Sequence, residues 1–232
     1  AIMEFNDRIL QFKKRTLYVI NASQDMEFLE EKLDYRGIPH RASVFKTEYG
    51  IVWANKNGCF YYDGKQVHDL LQKDGRPMIK QSTWETFIST PLVGYDPRRK
   101  QIIVVADIAD GKSATTSGDC YIYDMITKSW IKGVGIFGRG NKSNFAIDSD
   151  GKLIYHSHDG SSTSTLKEWT DSATSNDIDD TLLKIITKDF DFGMPSQKKS
   201  VKKVYLTYKG NGSGVTVLYG KDGLTPASNF YK

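Results

Sequence analysis

Short apolar runs alternate with polar turns along most of the chain, and three of these runs recur at a nearly constant interval. They occupy residues 50–54, 101–106 and 152–156, with centres about 51 residues apart. Each is followed by a turn or loop and then by a second, aromatic strand, at 58–64, 119–124 and 165–169. A repeat of this length with several short strands is typical of β-propeller blades. The pattern predicts an all-β fold.

The first two predicted units are defined by their turns. Residues 8–12 and 16–21 form two strands joined by the basic turn 13–15, and 26–33 closes the unit as a strand rather than as a short amphipathic helix. The second unit, 42–87, contains strands at 42–46, 50–55, 58–63 and 65–71. Asn57 and Gly58 form the tight turn between its middle strands, because both residue types tolerate positive φ.

The pattern continues through two further units and then changes. The third unit is 92–133, with a polar loop at 109–118 that we expect to be exposed, and the fourth is 144–169. We therefore predict about four blades, an incomplete propeller, in residues 1–172. A polar, acidic linker at 170–180 follows.

Longer apolar runs lie beyond the linker. Strands are predicted at 182–190, 201–209 and 215–219, and we interpret residues 181–232 as a β-sandwich or jelly-roll module. This length is short for a complete module, so we predict a partial β-sandwich module.

Composition narrows the class of protein only slightly. A hydrophobic content of 39% with 12% aromatic residues indicates a folded, strand-rich chain rather than a disordered one. The net charge of +4 permits proximity to DNA or to an acidic surface without arguing for either. No apolar run approaches the ~20 residues of a membrane span. The first six residues lack a signal-peptide pattern, and Ala1 leaves open that the chain continues upstream.

Two short motifs could bind a metal ion. His156 and His158 alternate on one predicted strand and would share a face, but no third ligand is identifiable, and exposed strand-end residues are the simpler interpretation. Residues 148–151, Asp-Ser-Asp-Gly, resemble the start of a calcium loop but lack its downstream Glu, so a hairpin turn is favoured. The same stretch fails to complete the Ser-x-Asp-x-Gly-x-x-Trp box of sialidase propellers, because Tyr155 and His156 stand near the Trp position.

The remaining candidates also have structural interpretations. The basic run 198–203 could follow a phosphate backbone or protect a strand edge, and the latter is favoured. The four tryptophans are expected to pack between blades rather than to stack on sugars or bases, and the two cysteines to be reduced and half-buried. The tryptophans are Trp53, Trp84, Trp130 and Trp169, and the cysteines are Cys59 and Cys120. No catalytic pair or phosphate loop is found, so we predict no catalytic, cofactor-binding or metal-binding residues and no cofactor.

Several segments resemble a known family. Residues 94–104 (GYDPRRKQIIV), 120–130 (CYIYDMITKSW) and 45–64 resemble propeller blades in structural proteins of tailed bacteriophages. Residues 187–193, 198–209 and 219–223 resemble the β-module that follows the propeller in those proteins. These segments are distributed from residue 45 to residue 223, and their order adds weight to motifs that are individually of moderate specificity.

The resemblance implies a non-enzymatic virion component of the tail or head-to-tail region, such as a hub, collar or nozzle. It further implies assembly with other virion proteins, as a ring homo-oligomer within the particle. Four blades are fewer than a closed propeller commonly has, so we expect upstream blades or a partner chain to supply the rest. The rival interpretations are a carbohydrate-binding or receptor-binding propeller and a sialidase-like glycoside hydrolase.

Overall fold

The structure is a computed structural model that describes residues 1–108, 118–137, 141–158, 164–169, 190, 192–194, 196–207, 217–220 and 228–229. Backbone contacts divide the chain into two compact units, Ala1–Thr170 and Asp171–Lys232. Antiparallel strands dominate the described residues, and the all-β class is confirmed. The predicted loop at 109–118, except for Gly118, and the predicted linker at 170–180 lie outside the described residues.

Sheet 1 is a four-stranded antiparallel meander at the start of the chain. Its strands, in spatial order, are β1 (Ile2–Phe5), β2 (Arg8–Phe12), β3 (Thr16–Asn21) and β4 (Phe28–Asp34). Strand β4 confirms that 26–33 closes the unit as a strand. Strand β1 was not predicted. It pairs with β2 across a turn in which Asn6 and Asp7 both have positive φ, at 48° and 55°.

Sheets 2 and 3 repeat the same meander. Sheet 2 contains β5 (Val44–Lys46), β6 (Ile51–Asn55), β7 (Gly58–Tyr62) and β8 (Val67–Asp69), and a short 3-10 turn, Arg41–Ser43, precedes it. A small hairpin of β9 (Gln72–Lys73) and β10 (Arg76–Pro77) and a helix, α1 (Gln81–Phe87), come next. Sheet 3 contains β11 (Leu92–Asp96), β12 (Gln101–Val105), β13 (Cys120–Asp124) and β14 (Ser129–Gly133). The predicted strands of the second and third units are confirmed to within a few residues.

Helix α1 lies within the predicted second unit, 42–87, but beyond its last predicted strand at 65–71, and no helix was predicted there. The helix has only seven residues and no side-chain cap. It exists because Trp84 is fully buried and its indole Nε1 donates to the carbonyl of Asn55 at 2.8 Å. Tertiary packing of one residue therefore sets this element, which has little helical signal of its own.

Sheet 4 is built around one long strand. Strand β17 (Leu153–His158) pairs on one edge with β15 (Asn141–Lys142) and β16 (Ala146–Ile147), and on the other edge with β18 (Ser164–Glu168). Strands β15 and β16 are two parts of one interrupted outer strand. Within the described residues, sheet 4 therefore has three strand positions, one fewer than sheets 1 to 3.

The four sheets pack on one another in chain order through three hydrophobic clusters. One cluster joins β2 and β3 to β6 and β7, a second joins sheet 2 to sheet 3 around Trp84, and a third joins sheet 3 to sheet 4. Successive side chains of the inner strands point to opposite faces of their sheet. Trp53 packs toward sheet 1, whereas Val52 and Ala54 pack toward sheet 3. Because both faces of sheet 2 are covered, every residue of β6 is buried.

Close approach between sheets 3 and 4 requires a glycine. A Cβ atom at Gly94 would lie 2.5 Å from Cδ2 of Phe145, well inside normal contact. The absence of a side chain on β11 lets the Phe145 ring lie directly against the strand. Gly94 therefore determines how closely these two sheets pack.

The second unit is described only in part. Strand β19 (Leu218–Tyr219) pairs with β20 (Ser228–Asn229) and matches the end of the strand predicted at 215–219. Residues 201–207 are exposed and irregular, so the predicted strand at 201–209 is wrong over these residues. The strand predicted at 182–190 lies outside the described residues except for Phe190.

Candidate functional site

The candidate metal ligands do not converge. His156 and His158 do share one face of β17, as alternation predicts, but among the described residues no group of three potential ligands is close enough to hold a metal ion. Asp148 has a structural role: its Oδ1 accepts from the backbone N–H of Asp150 at 2.9 Å and of Lys152 at 2.7 Å. The turn interpretation of residues 148–151 is therefore confirmed.

The tryptophans are packing residues, as predicted. Trp53, Trp84 and Trp169 are buried in three different inter-sheet clusters. Trp130 packs against the cluster between sheets 2 and 3, and its Nε1 donates to the carbonyl of Leu70 at 2.7 Å. None of the four presents an open ring for stacking on a sugar or a base.

The cysteines are reduced, as predicted, but more deeply buried than expected. Cys59 and Cys120 are fully buried, on sheets 2 and 3. Burial raises the pKa of the Cys120 thiol to about 12 and raises that of Cys59 as well. Both side chains are therefore protonated at neutral pH and act as small apolar core residues.

One end face of the stack of sheets carries aliphatic side chains toward solvent. Leu10, Phe12, Leu17 and Val19 pack toward sheet 2, so their neighbours on β2 and β3 point the other way. This open face of sheet 1 includes two long cross-strand rows and the shorter pair Thr16–Asp34. The first row is Ile2, Gln11, Tyr18 and Lys32, and the second is Glu4, Ile9, Ile20 and Leu29. Ile2 is 66% exposed and Leu29 is 55% exposed.

Sheet 4 has an open face of similar type. Leu153 and Tyr155 pack toward sheet 3, which leaves Ile154, His156 and His158 on the other side of β17. Leu166 lies opposite His156 and is 70% exposed. On both faces the exposed aliphatic side chains lie among polar ones. Patches of exposed aliphatic side chains often mark surfaces that another element covers.

A cluster of tyrosines lies at one end of sheets 2 and 3. The Tyr61 hydroxyl donates to the carbonyl of Tyr49 at 2.6 Å, and the Tyr95 hydroxyl donates to Glu48 Oε1 at 3.2 Å. The Lys100 ammonium lies 5.4 Å from the centroid of the Tyr49 ring, and its hydrogen bond to Tyr49 raises the Lys100 pKa. Burial is the largest cause of the raised pKa of Tyr95, and the negative charge of Glu48 is the second. Tyr49 is the most exposed ring of this cluster.

Comparison with known proteins adds little to this description. No protein-family profile and no curated protein matches the chain. Two similar solved structures are extracellular domains of BT4673 from B. thetaiotaomicron, one described as a hybrid two-component system and the other as a one-component system. They share 14% and 15% identity with TM-scores of 0.40 and 0.41, and each match covers 76% of this chain. The chain spans only 23% and 24% of their lengths, and similarity at this level supports no functional argument.

No helix in the described part of the chain is long and apolar enough to cross a membrane.

Proposed function

We propose that this chain is a structural component of a tailed-bacteriophage particle, in the tail or head-to-tail region, and that it acts by assembly rather than by catalysis. Its scaffold would be β-propeller blades followed by a β-sandwich-like module, and its partners would be other virion proteins within a ring homo-oligomer. The segments resembling such proteins include the confirmed strands of sheets 2 and 3.

The observation that carries the proposal is the open face of sheet 1. Strands β2 and β3 use one face to pack on sheet 2, yet their other face also carries aliphatic residues, including Ile9 and Ile20. The same face also carries Glu4, Gln11, Tyr18 and Lys32. A terminal sheet that remained in water would be expected to carry polar residues at the aliphatic positions as well. A further sheet, stacked as sheets 1 to 4 stack on one another, would cover these rows.

Sedimentation velocity tests whether this face mediates assembly. The chain should form large species at micromolar concentration, and the double variant Ile2→Glu, Leu29→Glu should shift it toward monomer. Ile126→Glu is the matched control, because Ile126 is 71% exposed but lies in the β13–β14 turn, away from the open face. A wild-type chain that stays monomeric and degrades a polysaccharide, with that activity lost on one Asp or Glu substitution, would contradict the proposal.

The location in a virion needs a separate experiment. If the chain is structural, mass spectrometry of purified tailed particles encoded by the same genome should detect it at a stoichiometry of several copies per particle. Its absence from such particles would reject the virion assignment.

A carbohydrate-binding or receptor-binding role is the second candidate, and the exposed Tyr49 ring favours it. Aromatic rings beside polar groups commonly bind sugars, and Glu48 and Lys100 flank this one. Tyr49→Ala should abolish binding on a glycan array, whereas Tyr205→Ala, an exposed tyrosine of the second unit, should not. Absence of any glycan signal from the wild-type chain would remove this candidate.

A further inference from the structure

Three neighbouring segments at one end of sheets 1 and 2 carry a concentration of positive charge. The turn 13–15, the connection 35–43 and the turn 56–57 contain six cationic residues and no Asp or Glu. These six residues, hereafter the basic platform, are Lys13, Lys14, Arg15, Arg36, Arg41 and Lys56. All are exposed except the half-buried Arg36, whose guanidinium lies 4.1 Å from the centroid of the Phe60 ring.

Hydrogen bonds fix the three segments of the platform to one another. The backbone N–H of Ile38 donates to the carbonyl of Lys13 at 3.0 Å, which joins the connection to the first turn. The buried Asn55 donates from Nδ2 to the carbonyls of Gly37 at 2.6 Å and Tyr35 at 3.1 Å, which joins the connection to the third segment. The positive charges therefore lie on a rigid support, so little conformational entropy of the backbone is lost when they bind a partner.

Charge is segregated between the two ends of these sheets. In an antiparallel meander, alternate turns lie at opposite ends, so 6–7, 22–27, 47–50 and 63–66 lie at the end away from the platform. Those four turns contain five acidic residues and one cation, Lys65. The acidic residues are Asp7, Asp25, Glu27, Glu48 and Asp63. The chain's modest net charge of +4 therefore hides a strongly polarised pair of sheets.

Three residues of the platform also border a hollow. Lys13, Lys14, His40 and Arg41 border a depression of about 320 Å³ whose floor includes Ile38. Stacked sheets lie about 10 Å apart. Over that distance one strand of a DNA duplex presents about three phosphates, at ~3.4 Å each along the axis. A patch of cations that extends over two stacked sheets suits a polyanion of regular charge spacing.

We propose that the basic platform binds the phosphate backbone of a nucleic acid duplex. The contacts are to phosphates and not to base edges, so binding is independent of sequence and strongly dependent on salt. This inference does not depend on the proposed virion role, because it rests on the charge and geometry of the first two sheets alone.

Fluorescence anisotropy with a labelled 20-base-pair DNA duplex tests the proposal. The platform variant is Lys13→Gln, Lys14→Gln, Arg15→Gln, and the matched control is Lys65→Gln, Lys100→Gln, Lys128→Gln, which removes the same charge from turns at the other end. We expect the platform variant to weaken binding at least about tenfold at 100 mM NaCl, and to reduce the slope of log K against log [NaCl] by roughly 2 to 3. The control variant should bind within about twofold of wild type.

Three results would overturn the proposal. The first is a wild-type chain that does not bind the duplex at 50 mM NaCl. The second is an equal loss of binding in the two triple variants, which would indicate general charge attraction. The third is tight binding of a heparin oligosaccharide with no binding of DNA, which would indicate a sulfated polysaccharide. Thermal melting of each variant, unchanged from wild type, shows that the fold is intact.

Discussion

At the scale of single residues, side chains that join two sheets determine most of the packing. Trp130 lies on β14 but donates its indole N–H to the carbonyl of Leu70, at the end of β8. Its ring also contacts Tyr123, with centroids 5.0 Å apart, and Trp84, with centroids 5.9 Å apart. A single side chain therefore connects sheet 3 both to sheet 2 and to helix α1.

Replacement of Trp130 by alanine should strongly lower stability. Truncation of a packed aromatic residue typically costs ~3–5 kcal/mol, and here it also leaves the Leu70 carbonyl without its donor. Chemical denaturation should show a fall in the free energy of unfolding of about 3 kcal/mol. Trp130→Phe, which keeps part of the ring packing, should lie between alanine and wild type. A fully stable alanine variant would mean that the indole is a surface group.

The Asp63–His68 pair predicts a dependence of stability on acid pH. Burial acts to raise the Asp63 pKa, but hydrogen bonds from His68 and from the backbone of Gln66 and Lys65 outweigh it and lower the pKa to about 2. Because the folded pKa lies below the unfolded value of about 3.9, Asp63 stabilises the fold above pH 4. That contribution should disappear as pH falls from about 4 to about 2. The difference in Tm between wild type and Asp63→Asn should shrink over this range, and a constant difference would contradict the assignment.

At the scale of elements, sheets 1 and 2 are each made of strands that are neighbours in the chain and are joined by short turns. The connection 35–43 is the link from sheet 1 to sheet 2, and Asn55 supports it by accepting from the N–H of Asn57 and donating to two carbonyls of the connection. The Gly37 carbonyl belongs to a buried residue, so it has limited access to water. Asn55 is thus the main polar support of this connection.

Asn55→Ala should therefore destabilise the chain by about 1–3 kcal/mol, the usual cost of leaving a buried backbone group unsatisfied. Asn57→Ala is the control, because Asn57 is exposed and its side chain makes one 3.2 Å hydrogen bond to the Tyr35 carbonyl. The control should change the free energy of unfolding by less than about 0.5 kcal/mol. Equal effects of the two substitutions in urea denaturation would show that the buried carbonyls have other donors.

The strands that the sequence predicted well are those bounded by recognisable turns. Asn57-Gly58 and the turn 125–128 fix hairpins locally, so β6, β7, β13 and β14 follow from the alternation of residues around them. Strand β1 was missed. Asn6 and Asp7 do carry a turn signal, since both residue types tolerate positive φ. Helix α1 could not be predicted, because the burial of Trp84 against sheets 2 and 3 determines it.

The candidate surfaces were harder to predict than the strands. Ile9 and Leu10 look alike in sequence, and only the packing of sheet 1 on sheet 2 shows which of them is left on the open face. The basic turn 13–15 was visible in the sequence, but the Ile38–Lys13 backbone hydrogen bond joins it to 35–43. The Asn55 hydrogen bonds in turn join 35–43 to 56–57. Surfaces assembled from distant segments require the tertiary structure.

At the scale of the whole molecule, sheets 1 to 4 form one unit, Ala1–Thr170, with buried central sheets. Limited proteolysis should distinguish its interior from its connections. We expect a broad-specificity protease to cut first within 109–118 or 170–180, the polar stretches that the sequence identifies as a loop and a linker. Strand β12 is buried at four of its five residues and should be cut late. Mass spectrometry of the early fragments will locate the cuts, and early cleavage within 102–105 would contradict the strand assignment.

The meander topology of the sheets has a mechanical consequence. Since the strands of each sheet are consecutive in the chain, the sheets are connected in series when tension is applied to the two ends of the chain. A sheet that yields can extend without first unthreading another, and sheet 1, over residues 2–34, would release about 110 Å of chain at ~3.4 Å per residue. Under load, such a molecule would lengthen in steps of one sheet at a time, and the unbroken sheets would continue to bear the force.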